Sequence, residues 1–208
     1  MIHNKKGVIK INRNKFLLFL KRIFDILVGG IGLIILFPIF VIIGILIKLD
    51  SKGPVFFIQE RAGKDGKIFK AYKLRTMVQG ADKVLGNIAI NEENPYITKF
   101  GKILRRTGFD ELPQLIDVFK GDMSLVGPRP TVLCQIKEYN DFQKKRLLVK
   151  PGITGWALIN GRNKLSWMER IKLDIWYIEH WSFLLDIKIL LKTLFIVAKG
   201  EGLYINSK

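Results

Sequence analysis

The chain has 208 residues, room for one domain of ordinary size with an appendage. Thirty-five Lys and Arg against 18 Asp and Glu leave a net charge of +17, which implies a polyanionic partner (nucleic acid, an anionic lipid surface or phosphorylated substrates), and a hydrophobic fraction of 49% leans toward the membrane. A single cysteine, Cys134, rules out an internal disulfide, and two distant histidines, His3 and His180, offer no ready zinc site or Ser-His-Asp triad, so catalysis would have to use carboxylates, Lys, Arg or a hard metal ion.

Residues 1–22 form a basic segment containing Lys5, Lys6, Lys10, Arg13, Lys15, Lys21 and Arg22. Ile26 to Ile47 follows as 22 uncharged residues, enough to cross a hydrocarbon core of roughly 30 Å. A cleaved signal peptide does not fit, because the apolar stretch is too long and no small-residue cleavage site follows it. Both flanks are basic, and a single crossing satisfies the positive-inside rule for only one of them. Pro38, near the middle, removes a backbone donor and marks where a helix could turn back. Charge and proline together lean toward re-entry over residues 23–50 and leave a span open. Residues 51–208 are then expected to form a second, membrane-associated unit.

Val55 to Arg61 and Lys67 to Lys73 have strand character, and AGKDG between them predicts a hairpin. Gly80 to Pro95 is polar and reads as a loop or frayed helix. Phe100, Ile103 and Leu104 are spaced for a helix. Leu112, Leu115, Ile116 and Phe119 predict an amphipathic helix with Pro113 in its first turn. Leu165 to Trp181 and Phe183 to Lys199 read as helices, either lying in the membrane interface or packed in the core of a small domain. The fold class expected is α+β and mostly helical, with a small hairpin and interfacial amphipathic helices.

Asp110 and Glu111 open the helix at Leu112. The plain reading makes Asp110 an N-cap, with the capping box left incomplete by Pro113. The functional reading uses the same geometry. A helix N-terminus keeps Asp110 ionised and favours a phosphate beside it. An ionised carboxylate can attack phosphorus while its neighbour holds Mg²⁺. GPRP, Gly127 to Pro130, fixes Arg129 between two prolines, as either a phosphate fork or a structural turn. Pro151 to Gly155 and Asn160 to Asn163 are loop signals of the same kind.

Four segments, KRIFDILVGGIGLIILFP, FKAYKLRTM, KFGKILRRTGFDELPQLIDVFKGDMSLVGPRP and VKPGITGWALINGRN, occur in the order and spacing of a known family. Over Lys21 to Lys199 the chain resembles the bacterial sugar transferases, in their minimal form as monotopic polyprenyl-phosphate phosphoglycosyl transferases. The resemblance implies a re-entrant helix on the cytoplasmic face of the bacterial inner membrane. It implies a UDP-sugar donor, a polyprenyl (undecaprenyl) phosphate acceptor, membrane lipid contacts and Mg²⁺ held by Glu111 and Asp110. Asp110 is implied as the nucleophile that releases UMP and carries the phosphosugar, at the first membrane step of a glycoconjugate pathway. Lys73, Arg105, Arg129 and Arg162 match positions expected to contact phosphates or order the site. No nucleic-acid partner is implied, and a homodimer is left open. One departure concerns the helix break, where the family often has Ser-Pro and this chain has Phe37-Pro38.

Two rivals make different demands. A non-enzymatic basic membrane adaptor explains the charge and the apolar run, but not the conjunction of the DE, GPRP and NGRN motifs. An enzyme without a covalent intermediate would let the lipid phosphate attack directly, with Asp110 as base or metal ligand. Sugar choice is expected to lie in Gly80 to Pro95 and Lys164 to Arg170.

Overall fold

The computed structural model describes residues 14–86, 94–161 and 164–199. Helix α1 (Lys15–Asp50) opens at Asn14, whose side chain accepts the Phe16 amide, and ends as Ser51 turns extended. The helix therefore begins inside the segment read as a basic leader. It is a single α-helix through Pro38, 36 residues and about 54 Å long. One stripe of it is buried and most of its apolar side chains are exposed, Phe19, Ile34 and Phe37 among them.

The buried stripe is pinned to one body at both ends. Near the start, Arg22 donates to the carbonyls of Val118 and Phe119, and Asp25 accepts the Leu125 amide. Lys21 bonds Asp186 and the Val126 carbonyl. At the far end, Asp50 accepts the Phe100 amide, and Arg75 donates to the carbonyls of Ile47 and Ser51. Between them the helix surface is thin enough to touch its neighbour: a Cβ on Gly32 would lie 3.2 Å from Leu115.

Strands β1 (Phe56–Ala62) and β2 (Ile68–Leu74) form the expected antiparallel hairpin, with Phe57 opposite Lys73. Its turn uses Asp65 and Gly66 at positive φ. Helix α2 (Ala81–Leu85) covers part of the stretch read as loop or frayed helix. Helix α3 (Lys99–Thr107) is capped by Thr98 and closed by Gly108 in the left-handed region. It crosses the backbone after β2 closely: a Cβ on Gly101 would sit 2.1 Å from the Thr76 carbonyl oxygen, so only glycine fits.

The dyad segment departs from expectation. Phe109–Gln114 is a 3-10 turn, and helix α4 (Leu115–Lys120) starts only afterward. Asp110 lies inside the turn and makes no capping bond, which corrects the N-cap reading. Pro113 supplies the reason, since it has no N–H and its ring opposes an α-helical turn over the four preceding residues.

Strand β3 (Ser124–Val126) precedes GPRP. Strand β4 (Thr131–Val132) follows it and joins the hairpin in the order β2-β1-β4. Helices α5 (Leu133–Lys137) and α6 (Asp141–Lys144) and a 3-10 turn at Lys145–Leu148 lead to β5 (Gly152–Thr154), which pairs in parallel with β3. Helices α7 (Trp156–Ile159), α8 (Trp167–Glu179) and α9 (Phe183–Lys199) complete the fold. The α+β, mostly helical expectation holds.

The main core joins Phe69 and Ala71 of β2, Val118 of α4, Val126 of β3, Ile178 of α8 and Ile189 of α9. The two alternatives left open for the last helices divide between them. Helix α8 buries Ile171, Asp174, Ile175, Tyr177 and Ile178 and is a core helix. Its tryptophan neighbours are packed too: Trp176 stacks between Trp156 and His180, and the Trp181 indole donates to Asp186. Helix α9 buries Ile189 and leaves Leu184, Leu191 and Leu194 exposed, so it presents an apolar surface outward.

Candidate active site

β2 delivers Lys73 to the dyad turn. Asp117 of α4 fixes the approach by accepting the Tyr72 amide at 3.0 Å, one residue before Lys73. Glu111 is held from two sides. Lys73 Nζ donates to its Oε1 at 2.6 Å, and Arg129 forks across both oxygens at 2.7 and 3.1 Å. This is the bidentate geometry that guanidinium and carboxylate planes favour. Burial alone would raise the Glu111 carboxyl, but Arg129 and Lys73 outweigh it and hold it well below the usual carboxylate range.

Asp110, its neighbour, is left without a hydrogen bond or ion pair among the described residues. Burial and the adjacent Glu111 charge push its carboxyl up to about 6, against the pull of Lys73, Arg105 and Arg129. The turn thus splits two adjacent acids into a clasped anion and an uncommitted one. Paired carboxylates take different roles through such a separation of environments.

The GPRP loop is fixed from behind by backbone packing. The Gly127 amide donates to Thr154, and the Gly152 amide donates to Pro128, each at 2.9 Å. A Cβ on Gly152 would lie 2.1 Å from the Gly127 nitrogen. VGPRP and PGITG are therefore one structure of two interlocked strands, where the sequence offered two separate loops. Arg146 adds a buried polar hold. It donates to the Arg129 carbonyl and to Tyr139 Oη, and its guanidinium lies 2.7 Å from Asp174.

Of the residues expected at the site, Lys73, Glu111 and Arg129 are in direct contact. Asp110 and Arg105 feel each other electrostatically, while Arg105 Nε donates to Thr76 Oγ1 at 2.8 Å. Arg162 lies outside the described residues, as do residues 87–93 of the stretch expected to select the sugar. Two further residues, Arg61 and Gln114, line the same cleft. In the sequence Arg61 stands out only as the end of a predicted strand. Period-2 alternation across the hairpin puts it and Gln59 on the face that carries Lys73, and that signal could have found it.

Residues 16–200 match the family described as bacterial sugar transferase. The chain belongs to this family. It is 46% identical over 191 residues to the uncharacterized sugar transferase EpsL of Bacillus subtilis (strain 168), covering 89% of this chain and 91% of that protein. It is 44% identical over 185 residues to UDP-glucose:undecaprenyl-phosphate glucose-1-phosphate transferase of Escherichia coli (strain K12). It is 38% identical over 200 residues to undecaprenyl-phosphate galactose phosphotransferase of Salmonella typhimurium (strain LT2). The chain spans 85% of itself but 39% of the Escherichia coli protein, and 89% of itself but 42% of the Salmonella protein. Within this family the interlocked loops, the clasped glutamate and the uncommitted aspartate form one candidate active site.

A metal cage made of protein alone is not present among the described residues, which hold no cluster of three or more His, Cys, Asp or Glu. Two adjacent carboxylates do suit Mg²⁺, which commonly takes one or two carboxylates and completes its shell with water and substrate phosphate. Asp110 fits the requirement, because a nearby cation would relieve the charge that burial and Glu111 penalise.

Proposed function

We propose that this protein is a phosphoglycosyl transferase. It moves a phosphosugar from a UDP-sugar to a polyprenyl phosphate, releases UMP, and does so through a covalent aspartyl-phosphosugar intermediate. The observation that carries the reading is the division of the dyad: Glu111 clasped by Lys73 and Arg129, Asp110 beside it without a partner. Two relatives whose names specify undecaprenyl-phosphate sugar-phosphate transfer support the substrate classes.

In the first half-reaction an Asp110 carboxylate oxygen attacks the β-phosphorus. The bond from that phosphorus to the bridging oxygen breaks, and the electron pair leaves with UMP. In the second, an oxygen of the lipid phosphate attacks the same phosphorus and frees Asp110. The product is polyprenyl-diphospho-sugar, the material for a glycosyl-adding reaction at the membrane. Lys73 and Arg129 keep Glu111 ionised and aimed, and present positive charge to the transferring phosphoryl oxygens. Mg²⁺ bound by Asp110 and Glu111 would supply charge neutralisation for the diphosphate.

The same geometry supports membrane attachment. Helix α1 and α9 both present exposed apolar side chains. A straight crossing by α1 would carry the polar partners of its two ends, Lys21 with Asp186 and Asp50 with the Phe100 amide, to opposite sides of one folded body. Entry into a single leaflet from the cytoplasmic face would keep both ends and both basic flanks on one side, with α1 continuous through Pro38 as it stands in this structure.

The test is UMP release by detergent-solubilised protein given Mg²⁺, undecaprenyl phosphate and a panel of UDP-sugars. Lipid-dependent release that falls at least about 10³-fold in Asp110→Asn is expected. Equal release from both proteins would remove Asp110 from the chemistry.

A further inference from the structure

Arg61, the penultimate residue of β1, lies on the wall of the cleft that also holds Lys73, Glu111 and Arg129. Its orientation is set by neutral partners. Gln59 Oε1 accepts from Nε at 3.1 Å and from Nη2 at 2.5 Å, and the Pro130 carbonyl accepts from Nη1 at 3.2 Å. Those three bonds use three of the five guanidinium N–H donors and leave two without an acceptor among the described residues. No described carboxylate forms an ion pair with it. Lys73 and Arg129 differ, since both already share Glu111. Burial, with Arg129 close by, pushes the Arg61 guanidinium down to about 10. Two guanidinium groups lining one cleft, one of them with two N–H groups unused among the described residues, call for an anion between or beside them.

We propose that Arg61 binds the α-phosphate of the nucleotide diphosphate, the phosphate that departs in UMP. This rests on the reading of the site given above. As the bond between the β-phosphorus and the bridging oxygen breaks, that oxygen takes the electron pair and negative charge accumulates on the α-phosphate. A guanidinium already held in place by Gln59 and Pro130 meets that charge without reorganising. Arg129, tied to Glu111, remains with the β-phosphorus that Asp110 attacks. The division gives each phosphate its own fork and explains why the strand end next to GPRP carries an arginine held by neutral acceptors only.

The test is calorimetric titration of the detergent-solubilised full chain with UMP and Mg²⁺, comparing wild type, Arg61→Gln and Arg61→Lys, with thermal melts alongside. Arg61→Gln is expected to weaken UMP binding at least about tenfold, the loss of one charge-assisted fork. Arg61→Lys, which keeps the charge without the fork, is expected to fall between the two. UMP binding as tight in Arg61→Gln as in wild type overturns the assignment. Should Arg61→Gln melt well below wild type, Arg61→Lys decides alone: weaker UMP binding at an unchanged melting temperature supports the site, and unchanged binding refutes it. Wild type that binds UMP yet releases none from any UDP-sugar with lipid phosphate would defeat the proposed reaction while leaving the nucleotide site standing.

Discussion

Two arginine–carboxylate pairs lie on either side of the GPRP loop, and their settings differ. In front, Arg129 grips Glu111 in a cleft where the arginine side chain keeps 55% of its surface exposed. Behind, Arg146 faces Asp174 with side-chain exposures of 4% and 3%. The front pair can exchange partners with an entering phosphate. The rear pair cannot reach one, and Arg146 also donates to the Arg129 carbonyl, Thr131 Oγ1 and Tyr139 Oη. The same two residue types therefore do different work. On the proposed mechanism, accessibility makes one pair part of the chemistry, and burial makes the other the support that aims it.

The sharpest way to break that comparison is to remove one partner from each side. Arg146→Leu strands Asp174 in the core and releases the Arg129 carbonyl. It is expected to cost roughly 3–5 kcal/mol of stability, visible as a large drop in denaturation midpoint. Arg129→Lys is expected to keep the wild-type midpoint and lose about 10- to 100-fold in UMP-releasing turnover, because a lysine cannot fork across Glu111. Stability loss in the front variant, or a stable Arg146→Leu protein, would erase the distinction.

A smaller effect sharpens the contrast within the dyad. On the proposed mechanism Asp110 must be ionised to attack, and burial with Glu111 pushes its carboxyl up to about 6. First-half-reaction rates are expected to fall in acid as Asp110 protonates, with the midpoint moving down from about 6 as Mg²⁺ is raised. Glu111, held far lower, adds no second step in that window. A rate flat from pH 5 to 8, measured by rapid-quench detection of UMP, would mean that Asp110 does not titrate there.

How legible this was depended on the range of the interaction. The hairpin could be read because strand propensity, alternation and a Gly-rich turn agree within twenty residues. The dyad could be read because Asp110 and Glu111 are adjacent. The N-cap reading of Asp110 failed through Pro113, whose missing N–H converts the start of the predicted helix into a 3-10 turn. VGPRP and PGITG each looked like a loop, since strands of three residues carry too little pattern to announce a parallel pairing. The Arg146 and Asp174 pairing joins two separate elements that no periodicity links. Arg61 was hidden for a different reason: among 35 basic residues, one more cation gives no signal until the strand register assigns it a face.

The most direct test of the central claim, that Asp110 carries the phosphosugar, is intact-mass measurement of the protein mixed with UDP-sugar and Mg²⁺ before any lipid phosphate is added, followed by peptide mapping. The expected result is a mass gain of one phosphosugar on the peptide containing Asp110, absent in Asp110→Asn and discharged by polyprenyl phosphate. Lipid-dependent UMP release with no adduct at any time point would contradict it, and would mean that the lipid phosphate attacks the diphosphate directly.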